Sequence, residues 1–314
     1  MYDWQGWIPH EQNPHSKNPE RGFLSSANQN PTDEKYPYYL NGIFAMKYRS
    51  TRINEWLSAS NQLVPDEFKA LQLDNKNLLA ESVLPKLLSC LNAVELSKRE
   101  LQIVDVLQKW DYFSDAQKIA PTVFDAWSKL LYRSIWFDEF NLAELYLELP
   151  SEARTVQLIV EEPDSPWFDN VNTPQKETLG DLITNSFKTS VAHLFQSLGE
   201  NREAWQWAVY EGTKLTHLAR VPGFGTKTLD VGGGRDIIVN ATGVDHGPSW
   251  RMVVSLGPEV HGWGIYPGGQ SGNSGSTHYD DFVNDWVAGE LVELLFLKNK
   301  SQENGRIIST LTLR

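Results

Sequence analysis

The sequence predicts an α+β fold in which a strand-and-loop segment opens the chain, a block of helices follows, and a strand-rich segment closes it. Three observations carry this prediction. Pro, Gly and Asn punctuate residues 1–50, apolar residues recur at helical spacing within residues 51–220, and Gly-rich turns bracket β-type runs in residues 221–314.

The first segment reads as short extended pieces at residues 4–9, 18–24 and 28–31, each cut short by a turn former. In the second, residues 95–110 place Leu101, Val104 and Leu107 on one helical face. Pro121 opens another helix, because its fixed backbone angle suits a first turn, and Trp127, Leu130, Leu131 and Ile135 then share a side. Residues 182–198 repeat the pattern with Ile183, Phe187, Val191, Leu194 and Phe195. In the third segment, residues 236–240 and 250–256 are β-type runs between turns. A sheet assembled from both ends of the chain, with the helices inserted between them, accommodates this order.

Composition narrows the function classes. The 314 residues carry a formal charge of -12 with acidic and basic residues intermixed, which removes the basic footprint that phosphate binding needs and argues against a nucleic-acid partner. A hydrophobic content of 40% against 22% charged residues describes a chain that folds rather than one that stays disordered. About four in five of the tryptophans are expected in the core. The single cysteine, Cys90, excludes an intrachain disulfide and reads as a small buried hydrophobe. No run approaches the roughly 18 apolar residues of a membrane span, and the polar, Pro-rich start has no apolar signal core, so neither a span nor an export signal is predicted.

Several stretches invite a chemical reading. Residues 268–281 contain Ser271, His278 and Asp281, but a nucleophile elbow needs Gly-x-Ser-x-Gly between a strand and a helix, and Ser271 is followed by Gly272 and Asn273. A catalytic triad also gathers distant segments, so a turn is the better reading of this loop. Residues 230–235 (DVGGGR) lack both the dinucleotide fingerprint and the P-loop ending, which leaves a flexible turn. His10, His15, His193, His217, His246, His261 and His278 are scattered without metal-ligand spacing, and the pair Asp280 and Asp281 reads as a solvated face ahead of a calcium ligand. Asn28 is a turn residue by its surroundings, yet a side-chain amide in a turn can also donate to a developing oxyanion. Arg49, taken alone, reads as a surface charge.

Taken together and in order, several motifs resemble the penicillin acylase family of N-terminal-nucleophile hydrolases, which includes acyl-homoserine-lactone acylases. Tyr2 to Pro9 (YDWQGWIP), Asn18-Pro19, Gly22-Phe23 and Ser26 to Gln29 (SANQ) look like the stretch leading to the family's oxyanion-hole asparagine. Residues 48–53 (YRSTRI) resemble the segment with its active-site arginine. Residues 247–254 (GPSWRMVV) and 267–272 (PGGQSG), followed by residues 276–279 (STHY) and Trp286, look like its closing blocks.

This resemblance implies part of the four-layer αββα sandwich, with a large helical insertion. It implies hydrolysis of a linear amide through an acyl-enzyme, in which an N-terminal serine attacks and its own α-amine is the base. Asn28 and Arg49 are the catalytic-site residues it assigns. The chain opens with Met1-Tyr2, which supplies no hydroxyl nucleophile, so the resemblance implies a C-terminal part that is inactive alone. Its partners are then an upstream part of the same enzyme and a small acyl-amide substrate, with self-association through uncovered apolar surface. No cofactor is required for the chemistry. The family's structural calcium finds no acidic ligand near residues 38–41 (YYLN), and the metal site stays undefined. A periplasmic or secreted location follows from the family alone. The alternative is a non-catalytic binding or scaffold protein that keeps part of the fold.

Overall fold

Helix α5 (Ala120–Trp136) shows how local sequence and packing combine. Pro121 lies in its first turn, where a missing N–H costs nothing, and Trp127, Leu131 and Ile135 then recur on one face with at most 2% exposure. That face meets α7 (Leu179–Leu198), whose Ile183, Phe187, Val191 and Leu194 are equally buried. At the contact the rings of Trp127 and Phe187 pack edge to face, 4.9 Å apart, and the indole N–H donates to the Ile183 carbonyl at 3.3 Å and the Ser186 hydroxyl at 3.1 Å. A reciprocal cap between Thr178 and Asp181 starts α7, and Gly199 follows its last turn at a φ of 77°.

The computed structural model describes residues 3, 6–60, 63–140, 148–235, 237–299, 302 and 305–313. Among them the helices run, in chain order, as α1 (Tyr48–Ala59), α2 (Pro65–Leu71), α3 (Leu78–Cys90), α4 (Lys98–Gln108), α5, α6 (Glu152–Glu161), α7, α8 (Trp207–Glu211) and α9 (Val283–Ala288). The strands are β1 (Arg251–Ser255), β2 (His261–Ile265) and β3 (Val292–Leu294). Two compact units divide the chain: Met1–Leu63 with Leu73–Gly247, and Val64–Gln72 with Pro248–Arg314.

The larger unit holds the main core, built by α3, α4, α5, α6 and α7. Asn77 caps α3 by accepting from the Ala80 N–H, and Ser97 and Glu100 cap α4 reciprocally. The face of α4 that is buried carries Ile103 and Leu107, not the expected trio, for Leu101 is 41% exposed and Val104 only half-buried. Both stripes have helical spacing, and only the neighbouring helices decide which one packs. Cys90 is also half-buried rather than enclosed, at the last residue of α3. Trp110, Trp127, Trp136, Trp205, Trp207 and Trp286 are buried while Trp7, Trp167 and Trp250 are exposed, so the core takes fewer tryptophans than expected.

Two further expectations are corrected here. Residues 3 and 6–47 form turns and a single 3-10 turn, His10–Gln12, with no strand among the described residues before β1. Pro9, Pro14, Pro19, Pro31 and Pro37 each remove a ladder donor, which breaks any pairing there. Residues 237–240 do not form a strand either, and Asp236 lies outside the described residues. A local turn and a sequence-distant carbonyl take the backbone instead, with Ile238 N–H donating to the Arg235 carbonyl and Asn240 N–H to the Asp74 carbonyl. The glycine turn before them is buried and strapped rather than flexible. Trp207 donates its indole N–H to the Gly233 carbonyl at 2.8 Å, and the Gly233 and Gly234 N–H groups donate to the carbonyls of Ser114 and Asn240. At Gly233, with φ 105°, a Cβ would lie 2.2 Å from the Asn240 carbonyl oxygen, so only glycine fits.

In the smaller unit β1, β2 and β3 make an antiparallel sheet in that order, with Val253 opposite Trp263 and Trp263 opposite Glu293. Burial alternates along β1, as expected for a sheet with one covered face. Helix α2 covers it, where Gln72 donates to the Met252 carbonyl and Lys69 lies 4.6 Å from the Trp263 ring. Arg251 is buried over Trp286 and donates to its carbonyl, and desolvation lowers the guanidinium pKa to about 10. Beyond β3 the chain leaves Phe296, Ile308, Leu311 and Leu313 largely exposed.

Just after α5, the Glu139 carboxyl is held above the usual carboxylate range by desolvation first, and by Asp138 and Asp169 next. Its Oε2 is buried without a hydrogen-bond partner among the described residues. A carboxyl whose folded pKa is raised contributes stability below its unfolded pKa, and that contribution is lost as pH rises through the folded value. Glu139→Gln is therefore expected to raise Tm at neutral pH and leave it unchanged near pH ~4. Thermal melts at both pH values check this, and an equal shift at each would trace the effect to packing instead of charge.

Candidate functional site

Asn28 sits in a turn at φ 65°, a left-handed conformation that Asn tolerates better than most residues. Its backbone is held from both sides: the Asn28 carbonyl accepts from the Ala45 N–H at 2.8 Å, and the preceding Ala27 N–H donates to Gln29 Oε1 at 2.7 Å. Ala27 is buried, while the Asn28 side chain reaches the surface.

Arg49 lies in the first turn of α1, half-buried, and its Nη2 donates to Asn28 Oδ1 at 3.0 Å. The structure thus brings together the two residues singled out in sequence, 21 positions apart. A guanidinium only donates, so this bond fixes the orientation of the Asn28 amide, with Oδ1 toward Arg49 and Nδ2 turned away. Among the described residues Nδ2 has no hydrogen-bond partner, leaving both its hydrogens available.

Neighbours on α1 hold this arrangement. Asn54 Oδ1 accepts from Arg21 Nη1 at 3.2 Å and from the Ser25 hydroxyl at 2.7 Å, which ties the loop before Asn28 to the helix that carries Arg49. Arg52 donates from Nε and Nη2 to the two carboxylate oxygens of Asp74, at 3.0 and 2.7 Å, and the Asp74 side chain is only 2% exposed. That hydrogen-bonded pairing, set against partial desolvation, raises the Arg52 pKa. Tyr48 packs on the main core, and desolvation pushes its hydroxyl pKa up, aided by the charge of Glu152 and opposed by a hydrogen bond with Ser82. Sequence reasoning passes over Asn54 and Asp74, because nothing in the local sequence distinguishes them from other amides and carboxylates.

The serine-rich loop is a turn, as its sequence suggests. His278 Nδ1 lies 2.9 Å from Asp281 Oδ2, but the Ser271 hydroxyl accepts from the Asn273 N–H, and no hydroxyl reaches the other imidazole nitrogen among the described residues. Gly269 is required there, since a Cβ would lie 2.2 Å from the His278 carbonyl oxygen. A fluorophosphonate probe is accordingly expected to leave Ser271 unmodified, with mass spectrometry of the treated chain as the check.

For calcium, Tyr38 to Asn41 offer no carboxylate, and the described residues contain no group of three or more His, Cys, Asp or Glu disposed to hold a metal. No helix among the described residues is long and apolar enough to cross a membrane.

Acyl-homoserine lactone acylase QuiP of Pseudomonas syringae pv. tomato is 26% identical over 347 residues, covering 99% of this chain and 41% of that protein. Penicillin G acylase of Escherichia coli is 28% identical over 196 residues, 60% of this chain and 21% of that enzyme. The chain thus spans about two fifths of the length of the acyl-homoserine lactone acylases it matches. The thermostable penicillin G acylase from Alcaligenes faecalis superposes with a TM-score of 0.61 at 14% identity, over 99% of this chain and 61% of that one, so the two share a fold. With a family model described as penicillin amidase matching residues 1–303, and acylases among its relatives in sequence and structure, the chain belongs to the penicillin amidase family.

Proposed function

We propose that Asn28 and Arg49 form the oxyanion side of an amidohydrolase site that cleaves linear amides through an acyl-enzyme. The observation that carries this is the bond from Arg49 to Asn28 Oδ1, which turns the amide donor outward in a family of acylases. The serine nucleophile and most of the acyl pocket come from protein beyond these 314 residues, a reading supported by the 41% coverage of the acyl-homoserine lactone acylase.

In this reading an N-terminal serine hydroxyl loses its proton to its own α-amine, whose pKa is low enough to accept it near neutrality, and attacks the substrate carbonyl. The carbonyl oxygen takes the negative charge, and Asn28 Nδ2 donates to it. Collapse of the tetrahedral intermediate breaks the C–N bond as the departing amine takes up the proton, and water then hydrolyses the ester. Arg49 holds the amide in register and adds positive potential. The names of the relatives point to acyl side chains of β-lactams or of homoserine lactones as substrates. A periplasmic or secreted location accompanies the reading.

The test pairs this chain with the upstream polypeptide of its gene and follows hydrolysis of phenylacetyl and long-chain acyl amides. Turnover is expected only from the combination. Robust turnover by this chain alone would overturn the proposal, and inactivity of the combined protein with retained ligand binding would favour a binding or scaffold role.

A further inference from the structure

Within the larger unit, a cavity of about 380 Å³ opens among α3, α5, α6 and α8, and neither Asn28 nor Arg49 lines it. Its volume lies in the range of small-molecule sites. The walls are well ordered by packing: Leu87, Phe124, Leu131, Ile159, Trp207 and Ile238 each line it with no more than 5% of their surface exposed. Aliphatic and aromatic faces of this kind suit a compact apolar body.

One side of the cavity is charged, and the charges are not equally engaged. Lys129 Nζ lies 2.6 Å from Asp125 Oδ2, which also accepts from the Tyr210 hydroxyl at 2.9 Å. Arg235 Nη2 is shared between Asp125 at 3.9 Å and Glu152 at 3.6 Å. Arg133 is exposed to water beside the Phe137 ring. Glu211, the last residue of α8, differs from all of these. It lines the cavity half-buried, and among the described residues it has neither a hydrogen bond nor an ion pair.

We propose that this cavity is a binding site for a small amphiphile with an apolar body and a primary ammonium head, the ammonium being held by Glu211. The body would lie against Phe124, Leu131 and Trp207, and the head would supply a directly bonded cation, which Lys129, Arg235 and His246, felt by Glu211 only through space, do not. The state of Glu211 agrees with this. Desolvation first, and the neighbouring Asp125 next, hold its carboxyl above the usual carboxylate range, so an entering cation restores what burial removed. An anionic head would instead meet Glu211, Glu152 and Asp125, with Lys129 and Arg235 already paired and only the water-exposed Arg133 to offset them. This site does not depend on the amidohydrolase reading.

Isothermal titration of the full chain with phenylpropylamine, phenylpropanol and phenylpropanoate separates body from head. The amine is expected to bind one per chain, about tenfold or more tighter than the alcohol, with the carboxylate weakest. Glu211→Gln should bring the amine down to the affinity of the alcohol and leave the alcohol unchanged. Val156→Trp, at a half-buried position on the wall, should abolish binding of all three, provided a thermal melt shows that the variant still folds. The proposal is overturned if none of the probes binds, if the carboxylate binds as tightly as the amine, or if amine binding survives Glu211→Gln unchanged, which would mark it as nonspecific attraction to an acidic protein.

Discussion

Replacing Asn28 with alanine, in the chain combined with its upstream part, is expected to lower kcat by roughly 100 to 1,000-fold while KM changes little. A donor aimed at the oxyanion contributes chiefly as negative charge develops, so its loss raises the barrier without weakening ground-state binding. The geometry makes the prediction sharper. Because Arg49 holds Oδ1, Asn28→Asp would put a carboxylate oxygen where Nδ2 now points, and should be at least as damaging as alanine. Arg49→Lys should be intermediate, since an ammonium keeps the charge but not the planar donor geometry. Steady-state kinetics on a phenylacetyl amide checks all three. A loss confined to KM would show that Asn28 only binds substrate, and full activity in Asn28→Ala would remove it from the chemistry.

The second large effect concerns stability. Asp74→Ala is expected to destabilise the protein by about 3–5 kcal/mol, since it strips a partly buried guanidinium of its bidentate partner. The Asp74 side chain is 2% exposed and also accepts from the Lys76 N–H, so a surface ion pair, worth about 1 kcal/mol or less, is the wrong comparison. Arg52 lies three residues beyond Arg49 on α1, and the same substitution should therefore loosen the helix that orients Asn28. Urea unfolding monitored by circular dichroism measures the loss. A cost below about 1 kcal/mol would mean that water replaces the carboxylate freely.

Much of the helical block was legible residue by residue. Trp127, Leu131 and Ile135 on α5, and Ile183, Phe187, Val191 and Leu194 on α7, are buried as their spacing requires, because an apolar stripe on a long helix has one way to leave water. Where a helix offers two stripes, as α4 does, spacing cannot choose, and Leu101 stays exposed while Ile103 packs. The β-branched run after Arg235 misled for a related reason. Strand propensity is realised only with a partner strand, and here the backbone bonds are taken by turns and by the Asp74 carbonyl.

The candidate site divides in the same way. Asn28 and Arg49 could be named from the order of short motifs, and the family follows from residues 1–303 taken together. What the linear chain determined by itself was therefore the helical type of its long amphipathic segments, its overall charge and the two polar groups to examine. Tertiary structure alone decided that Arg49 donates to Asn28 Oδ1, that Asp74 closes on Arg52, and that Glu211 lines a cavity without a direct ion-pair partner among the described residues. Propensity and periodicity act over a few neighbouring residues, whereas hydrogen-bond direction and desolvation depend on atoms that lie up to hundreds of positions away until the chain folds.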